Sequence, residues 1–143
     1  MTDDADHGPA SIVVRRRVEW ADTDASGKYH NTAAFRLVEQ AETRLLDALG
    51  LSDEIYGRLP RVHMSVDLTE SLRFNDLVEV ELRVEALGST SLTYGFDIRK
   101  DGRPAASGRM IAVLLERSGE KEVWTDRHRS ILTTSGRQEW DGP

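Results

Sequence analysis

The sequence predicts an α+β domain in which a curved antiparallel sheet of about five strands wraps around one long helix. Three observations carry that expectation. Several stretches alternate apolar and polar side chains with a period of two, residues 32–49 change to a helical period, and Asp101-Gly102 forms a tight-turn signal between two alternating stretches. At 143 residues the chain fits a single core that removes roughly two-thirds of the unfolded surface from water.

Residues 1–10 are polar, contain Gly8 and Pro9, and are expected to form a flexible tail; residues 134–143 have the same character. The single domain is expected to span residues 11–133. From Ser11 to Trp20, one face carries Ile12, Val14, Val18 and Trp20 and the other Val13, Arg15, Arg17 and Glu19, the pattern of a half-buried strand. In residues 32–49, Phe35, Val38, Leu45, Leu46 and Leu49 fall on one arc, with Asn31 as candidate N-cap and Gly50 as the stop. This is the one long helix.

Its apolar stripe needs a sheet to cover, and four further stretches supply one. Residues 62–68 form a short strand, 78–86 alternate strictly, 92–98 continue the pattern, and 105–115 follow the Asp101-Gly102 turn. The segment TDRHRSIL is either a short helix or an edge piece. A sheet covered on one face by a single helix leaves edges to be hidden, so a homodimer or homotetramer is expected.

Composition excludes several classes. Without cysteine there is no disulfide, thiolate metal site or cysteine nucleophile. The N-terminal MTDDADHGPA has no apolar segment and no stretch approaches the roughly 18 apolar residues of a membrane span, so a cytoplasmic protein is expected. A net charge of −6 argues against nucleic acid as partner. Arg15, Arg16 and Arg17 are the only basic run, and in a strand Arg16 points away from the other two.

There is no G-x-S-x-G, H-E-x-x-H, P-loop or G-x-G-x-x-G pattern, and His7, His30, His63 and His128 lack metal-ligand spacing. No metal and no cofactor are expected. What remains is EWADTDASGKYHN, residues 19–31, where Asp24 opens a small-residue turn that runs into a helix start. The first amides of a helix lack intrahelical partners and carry partial positive charge, which suits a developing oxyanion, and a nearby carboxylate can act as base or nucleophile. The same residues also suit an ordinary Asx turn and helix cap.

The stretch W-A-D-T-D-A-S-G-K-Y-H-N followed by A-A-F-R-L-V-E-Q-A-E resembles the hot-dog-fold acyl-CoA thioesterases of the 4-hydroxybenzoyl-CoA thioesterase type. M-S-V-D-L-T-E-S-L-R-F-N-D-L-V-E-V and A-L-G-S-T-S-L-T-Y are similar to that family's strand and hairpin segments, so the likeness runs from about residue 12 to residue 124. It implies thioester hydrolysis with Asp24 as nucleophile or general base, and a backbone N–H near Asn31 that polarises the carbonyl. Asp22 would organise the turn. Gly27 would let the backbone approach the substrate. His30 would either touch the thioester or fill a polar position, and Glu39, about fifteen residues beyond Asp24, would be a second carboxylate of the site or a structural hydrogen-bond partner.

The resemblance also places Tyr29, His63, Ser89 and Thr90 on the substrate side. Some relatives carry basic residues at the hairpin turn to hold the phosphates of CoA. Here that turn is Gly88, Ser89 and Thr90, which leaves acyl-CoA and an acyl carrier protein thioester both open as substrates, with Arg58, Arg61 or Arg73 as possible substitutes. Two alternatives are a module that binds acyl thioesters without turnover and a hot-dog hydratase or dehydratase. The latter's D-x-N-P-x-H context is absent, since Tyr29 stands five residues after Asp24.

Overall fold

The computed structural model describes residues 6–29, 31–140 and 142. Strand β1 (Ser11–Arg17) is followed by helices α1 (Ala33–Ala48) and α2 (Ser52–Ile55), then strands β2 (Arg61–Leu68), β3 (Leu77–Leu87), β4 (Ser91–Lys100) and β5 (Arg103–Val113), helix α3 (Asp126–Thr134) and the short strand β6 (Arg137–Gln138). The order in the sheet is β2-β5-β4-β3-β1-β6. Every pairing is antiparallel except β1 with β6, which is parallel.

The periodicities translate directly into burial. Ile12 and Val14 of β1, Val78, Val80, Leu82 and Val84 of β3, and Leu92, Tyr94, Phe96 and Ile98 of β4 all face the core. Helix α1 lies over β1 and β3 and buries Leu37, Val38, Leu45 and Leu46 together with Ala33, Ala34 and Ala41. The small alanines let the helix backbone sit close to the sheet, and Phe35 at the rim meets Phe96 edge-on, with ring centroids 6.0 Å apart. Gly50 ends the helix as expected: it takes a left-handed φ of +72°, its N–H donates to Asp47 O, and Leu51 N–H donates to Leu46 O. Asp101 and Gly102 also both have positive φ, as a two-residue hairpin turn requires.

Local expectations are corrected at two positions. Trp20 does not continue the buried face of β1: it starts a single turn of 3-10 helix (Trp20–Asp22) and is 73% exposed, packed edge-on against Phe74. Asp22 bends the chain there by accepting from Glu19 N–H at 2.8 Å. Asn31 is not the N-cap of α1; Thr32 holds that position, already in helical dihedrals. The five long strands are also joined by a sixth, because the two-residue β6 pairs with β1 at Ser11 and Ile12.

The segments expected as flexible tails are bound to each other where they are described. His7 N–H donates to Thr134 O, Ala10 N–H to Leu132 O and Gly136 N–H to Gly8 O, while Ala10 and Leu132 are fully buried. Two short polar stretches satisfy one another's backbone groups and close over the end of the core, which composition alone does not reveal.

Strand β2 is at the sheet edge and is largely exposed, with Val62, Met64 and Leu68 open to solvent. No helix among the described residues is long and apolar enough to cross a membrane.

Candidate active site

The turn after the 3-10 helix is built around Asp24. Its backbone N–H donates to Lys28 O at 3.0 Å and Gly27 N–H donates back to Asp24 O at 3.0 Å. The carboxylate is oriented by Ser26, whose N–H donates to Oδ1 at 2.8 Å and whose hydroxyl donates to the same oxygen at 2.5 Å. Gly27 has φ +79° and nothing within 4 Å of where a Cβ would sit. It is therefore required by the left-handed backbone of the turn.

Two interactions tie this turn to the far side of the fold. Tyr29 N–H donates to Leu72 O at 2.8 Å, and Lys28 pairs with Arg73 in an isolated antiparallel bridge. The end of β2 and the segment after it are thereby drawn against the turn, and a cleft of about 350 Å³ opens between them. Asp24, Tyr29 and Asn31 line it from one side, with Ser26 and Lys28; Leu68, Thr69, Glu70 and Ser71 line it from the other. The start of α1 stands at this cleft, since Asn31 immediately precedes the N-cap Thr32. An exposed carboxylate, held in one orientation and next to the positive end of a 16-residue helix, can activate water or attack a carbonyl whose oxygen is stabilised by backbone N–H groups.

Asp22 is of a different kind. It is 3% exposed and bound by Arg36 through Nε to Oδ1 at 2.5 Å and Nη2 to Oδ2 at 2.6 Å. The two acids of the D-T-D stretch thus diverge: one is locked into the protein, the other faces the cleft.

Residues 26–107 match the family model of the thioesterase superfamily, more than half of the chain. The chain belongs to the thioesterase superfamily. A 1,4-dihydroxy-2-naphthoyl-CoA hydrolase of Prochlorococcus marinus (strain MIT 9303) is 30% identical over 107 residues, covering 66% of this chain and 71% of the relative. A thioesterase of Thermus thermophilus, solved with coenzyme A and zinc, is 26% identical with a TM-score of 0.75, covering 84% of this chain and 90% of that one. The 1,4-dihydroxy-2-naphthoyl-CoA thioesterase of Synechocystis has a TM-score of 0.76 at 18% identity, covering 85% and 95%, a likeness that speaks for the fold alone. The protein is a hot-dog-fold thioesterase and catalyses thioester hydrolysis.

Not every residue expected at the site of this thioesterase is brought to the Asp24 cleft. Glu39 lies on α1 beyond its first turn and lines a separate and larger cleft of about 730 Å³. Two of that cleft's arginines are engaged within the protein: Arg61 binds Glu42, Arg58 binds Glu122, and Arg58 Nε donates to Leu115 O at 2.7 Å. Size alone would favour it, but Arg58 and Arg61 are consumed in structural pairs, so the smaller cleft with the oriented carboxylate is the better candidate. His63 is exposed on β2. Ser89 and Thr90 hold the C-terminal segment through their carbonyls, which accept from Trp124 N–H and Leu114 N–H. His30 lies outside the described residues.

Sequence reasoning missed Ser26, Lys28, Thr69, Glu70 and Ser71 as cleft residues. Ser26 had a local signal, an Asx turn two residues after the acid; Thr69–Ser71 had none, because only the Tyr29–Leu72 contact places them there. The hairpin turn, without a basic residue of its own, receives one from α3: Arg129 donates to Gly88 O at 2.9 Å and to Leu87 O at 3.3 Å.

Proposed function

We propose that this thioesterase hydrolyses an acyl-CoA thioester to free acid and CoA at the Asp24 cleft. The observation that carries the proposal is the placement of an oriented carboxylate and the start of α1 on one cleft. The thioester carbonyl sits with its oxygen toward the backbone N–H groups around Asn31. Removing one such donor from an oxyanion site typically costs about 3 kcal/mol of transition-state stabilisation.

Two routes balance. In one, the Asp24 carboxylate takes a proton from water as the oxygen bonds to the carbonyl carbon, and the tetrahedral oxyanion collapses, breaking the C–S bond and returning the proton to the departing thiolate. In the other, Asp24 attacks the carbonyl, expels the thiolate to give a mixed anhydride, and water then hydrolyses the anhydride. Single turnover in oxygen-18 water separates them, because only the anhydride route can leave label in the Asp24 side chain.

CoA, in preference to a carrier protein, is supported by the cations at the cleft: Lys28 lines it, and Arg73 is bridged to Lys28. The Prochlorococcus marinus relative named for 1,4-dihydroxy-2-naphthoyl-CoA supports the same choice. Purified protein is expected to release free thiol from members of an acyl-CoA panel, with Asp24→Ala and Asp24→Asn lowering kcat/KM at least a hundredfold. Full turnover by Asp24→Ala, or turnover of acyl carrier protein thioesters alone, would overturn the respective part of the proposal. An oligomer paired through β2 belongs to the same proposal, since that strand is an exposed edge beside the cleft.

A further inference from the structure

We propose that a second cleft, at the open end of β1 and lined by Arg15, Arg16, Arg17 and Gln40, binds a phosphate dianion, either free or carried as an ester on a small molecule. It shares no lining residue with the Asp24 cleft, and the inference does not depend on where hydrolysis takes place.

Strand β6 covers β1 only at Ser11 and Ile12, so among the described residues 13–17 form an edge of the sheet. Alternation along a strand sends Arg16 to the opposite face from Arg15 and Arg17, yet at this edge all three line one cleft of about 290 Å³, with Glu19, Gln40 and Leu77. Arg15 and Arg17 are exposed and Arg16 partly so, which leaves them open to a ligand from solvent. The space suits a compact anion better than an extended chain. Glu19 is the only carboxylate in the lining, and it is already paired with Arg36 at 3.3 Å. Arg17 donates to a neutral acceptor, Asn75 O, at 2.9 Å. Among the described residues, none of the three arginines has an ion-pair partner.

The cations behind the cleft add to the imbalance. Arg44 stands one helical turn beyond Gln40, on the same face of α1, and lies over the Trp140 ring at 4.5 Å from its centroid. That contact holds the guanidinium in place without neutralising it. Burial and the charges of Arg44 and Arg36 push Arg16 below the usual guanidinium range, and only Glu19 acts the other way. Arg16 nevertheless stays charged. Its Nε, the Arg44 Nε and the Gln40 Oε1 are all shielded without a hydrogen-bond partner among the described residues, a concentration of unsatisfied groups that calls for an explanation. In a protein of net charge −6, overall composition does not supply one. A tetrahedral dianion does: it sets two negative charges against the arginines and offers several oxygens to their forked donors. The Gln40 amide adds an N–H donor at the same cleft.

The test titrates the purified protein with sodium orthophosphate and, in parallel, with AMP, each against sodium chloride at matched ionic strength, reading Tm and the phosphorus-31 line width. Phosphate is expected to raise Tm saturably beyond chloride, as a ligand of the folded state does. Arg16→Gln should weaken that binding by about tenfold or more, the loss of a charge-assisted contact. Arg15→Gln combined with Arg17→Gln changes only exposed side chains and should weaken it as much, so the result does not hang on one partly buried position. Lys28→Gln, at the Asp24 cleft, should bind phosphate as wild type does. Tighter binding of AMP than of orthophosphate assigns the site to a phosphate ester, and the reverse order to the free ion. A rise in Tm that chloride reproduces, wild-type affinity in both arginine variants, or loss of binding in Lys28→Gln overturns the inference.

Discussion

Arg36 on α1 holds Asp22 through two hydrogen bonds, Nε to Oδ1 at 2.5 Å and Nη2 to Oδ2 at 2.6 Å, and so pins the chain entering the Asp24 turn to the helix leaving it. Burial works to raise the Asp22 carboxyl, but the Arg36 hydrogen bonds, the Glu19 N–H and the Arg36 charge outweigh it and hold the group below the usual carboxylate range. With a depressed folded value, the stabilisation is fully present above the unfolded carboxylate value of about 4 and is lost as pH falls through the folded value. Asp22→Asn is expected to cost about 2 kcal/mol at pH 7, below the figure for a wholly buried pair because Arg36 is partly exposed. Its stability deficit should shrink in urea titrations run below pH 4. Asp24→Asn should do the opposite, abolishing turnover at nearly unchanged stability.

The Glu42–Arg61 pair is a second buried ionic contact, with Glu42 4% exposed. Glu42→Ala leaves the Arg61 guanidinium without its carboxylate, at a cost of about 3 kcal/mol in urea denaturation. The double change Glu42→Leu with Arg61→Met should recover most of that loss, because no unpaired charge stays behind. Recovery confined to stability, with kcat/KM within a few-fold of wild type, would match the placement of this pair away from the Asp24 cleft.

Gly108 pairs with Val66 across β2 and β5. A Cβ there would lie 2.0 Å from Ser65 O and 2.7 Å from Phe96 Cζ, so the backbone itself would have to move. Gly108→Ala is expected to destabilise by about 3 kcal/mol. At Gly95 the obstruction is the carboxylate end of Glu85, which can swing away, and Gly95→Ala should cost less than about 1 kcal/mol. Thermal melts of the two variants give the comparison.

Strand β2 offers Val62, Met64 and Leu68, 62%, 40% and 43% exposed, along an edge. Such an edge invites pairing with another strand, and a second copy of this chain is the proposed occupant. Val62→Lys with Met64→Lys should shift the solution mass from dimer to monomer in sedimentation or light scattering. Because Leu68–Ser71 line the cleft just beyond this strand, kcat/KM should fall with the mass. An unchanged mass would place the oligomer interface elsewhere.

Local pattern determined the secondary elements of this protein. Alternation located β1 to β5, helical period and Gly50 delimited α1, and Asp101-Gly102 marked a hairpin, because each depends on neighbours within a few residues. The acid-bearing turn was visible for the same reason, and the order of motifs was enough to indicate a thioesterase. Tertiary structure decided what local sequence cannot encode. It gave Asp22 to an arginine fourteen positions away, sent Glu39 to a different cleft and tied residues 7–10 to 132–136. It also brought Thr69–Ser71 against Asp24 through the Tyr29–Leu72 hydrogen bond. Each of these is a pairing between distant segments, chosen by which buried polar groups and apolar faces can satisfy one another once the sheet has closed over α1.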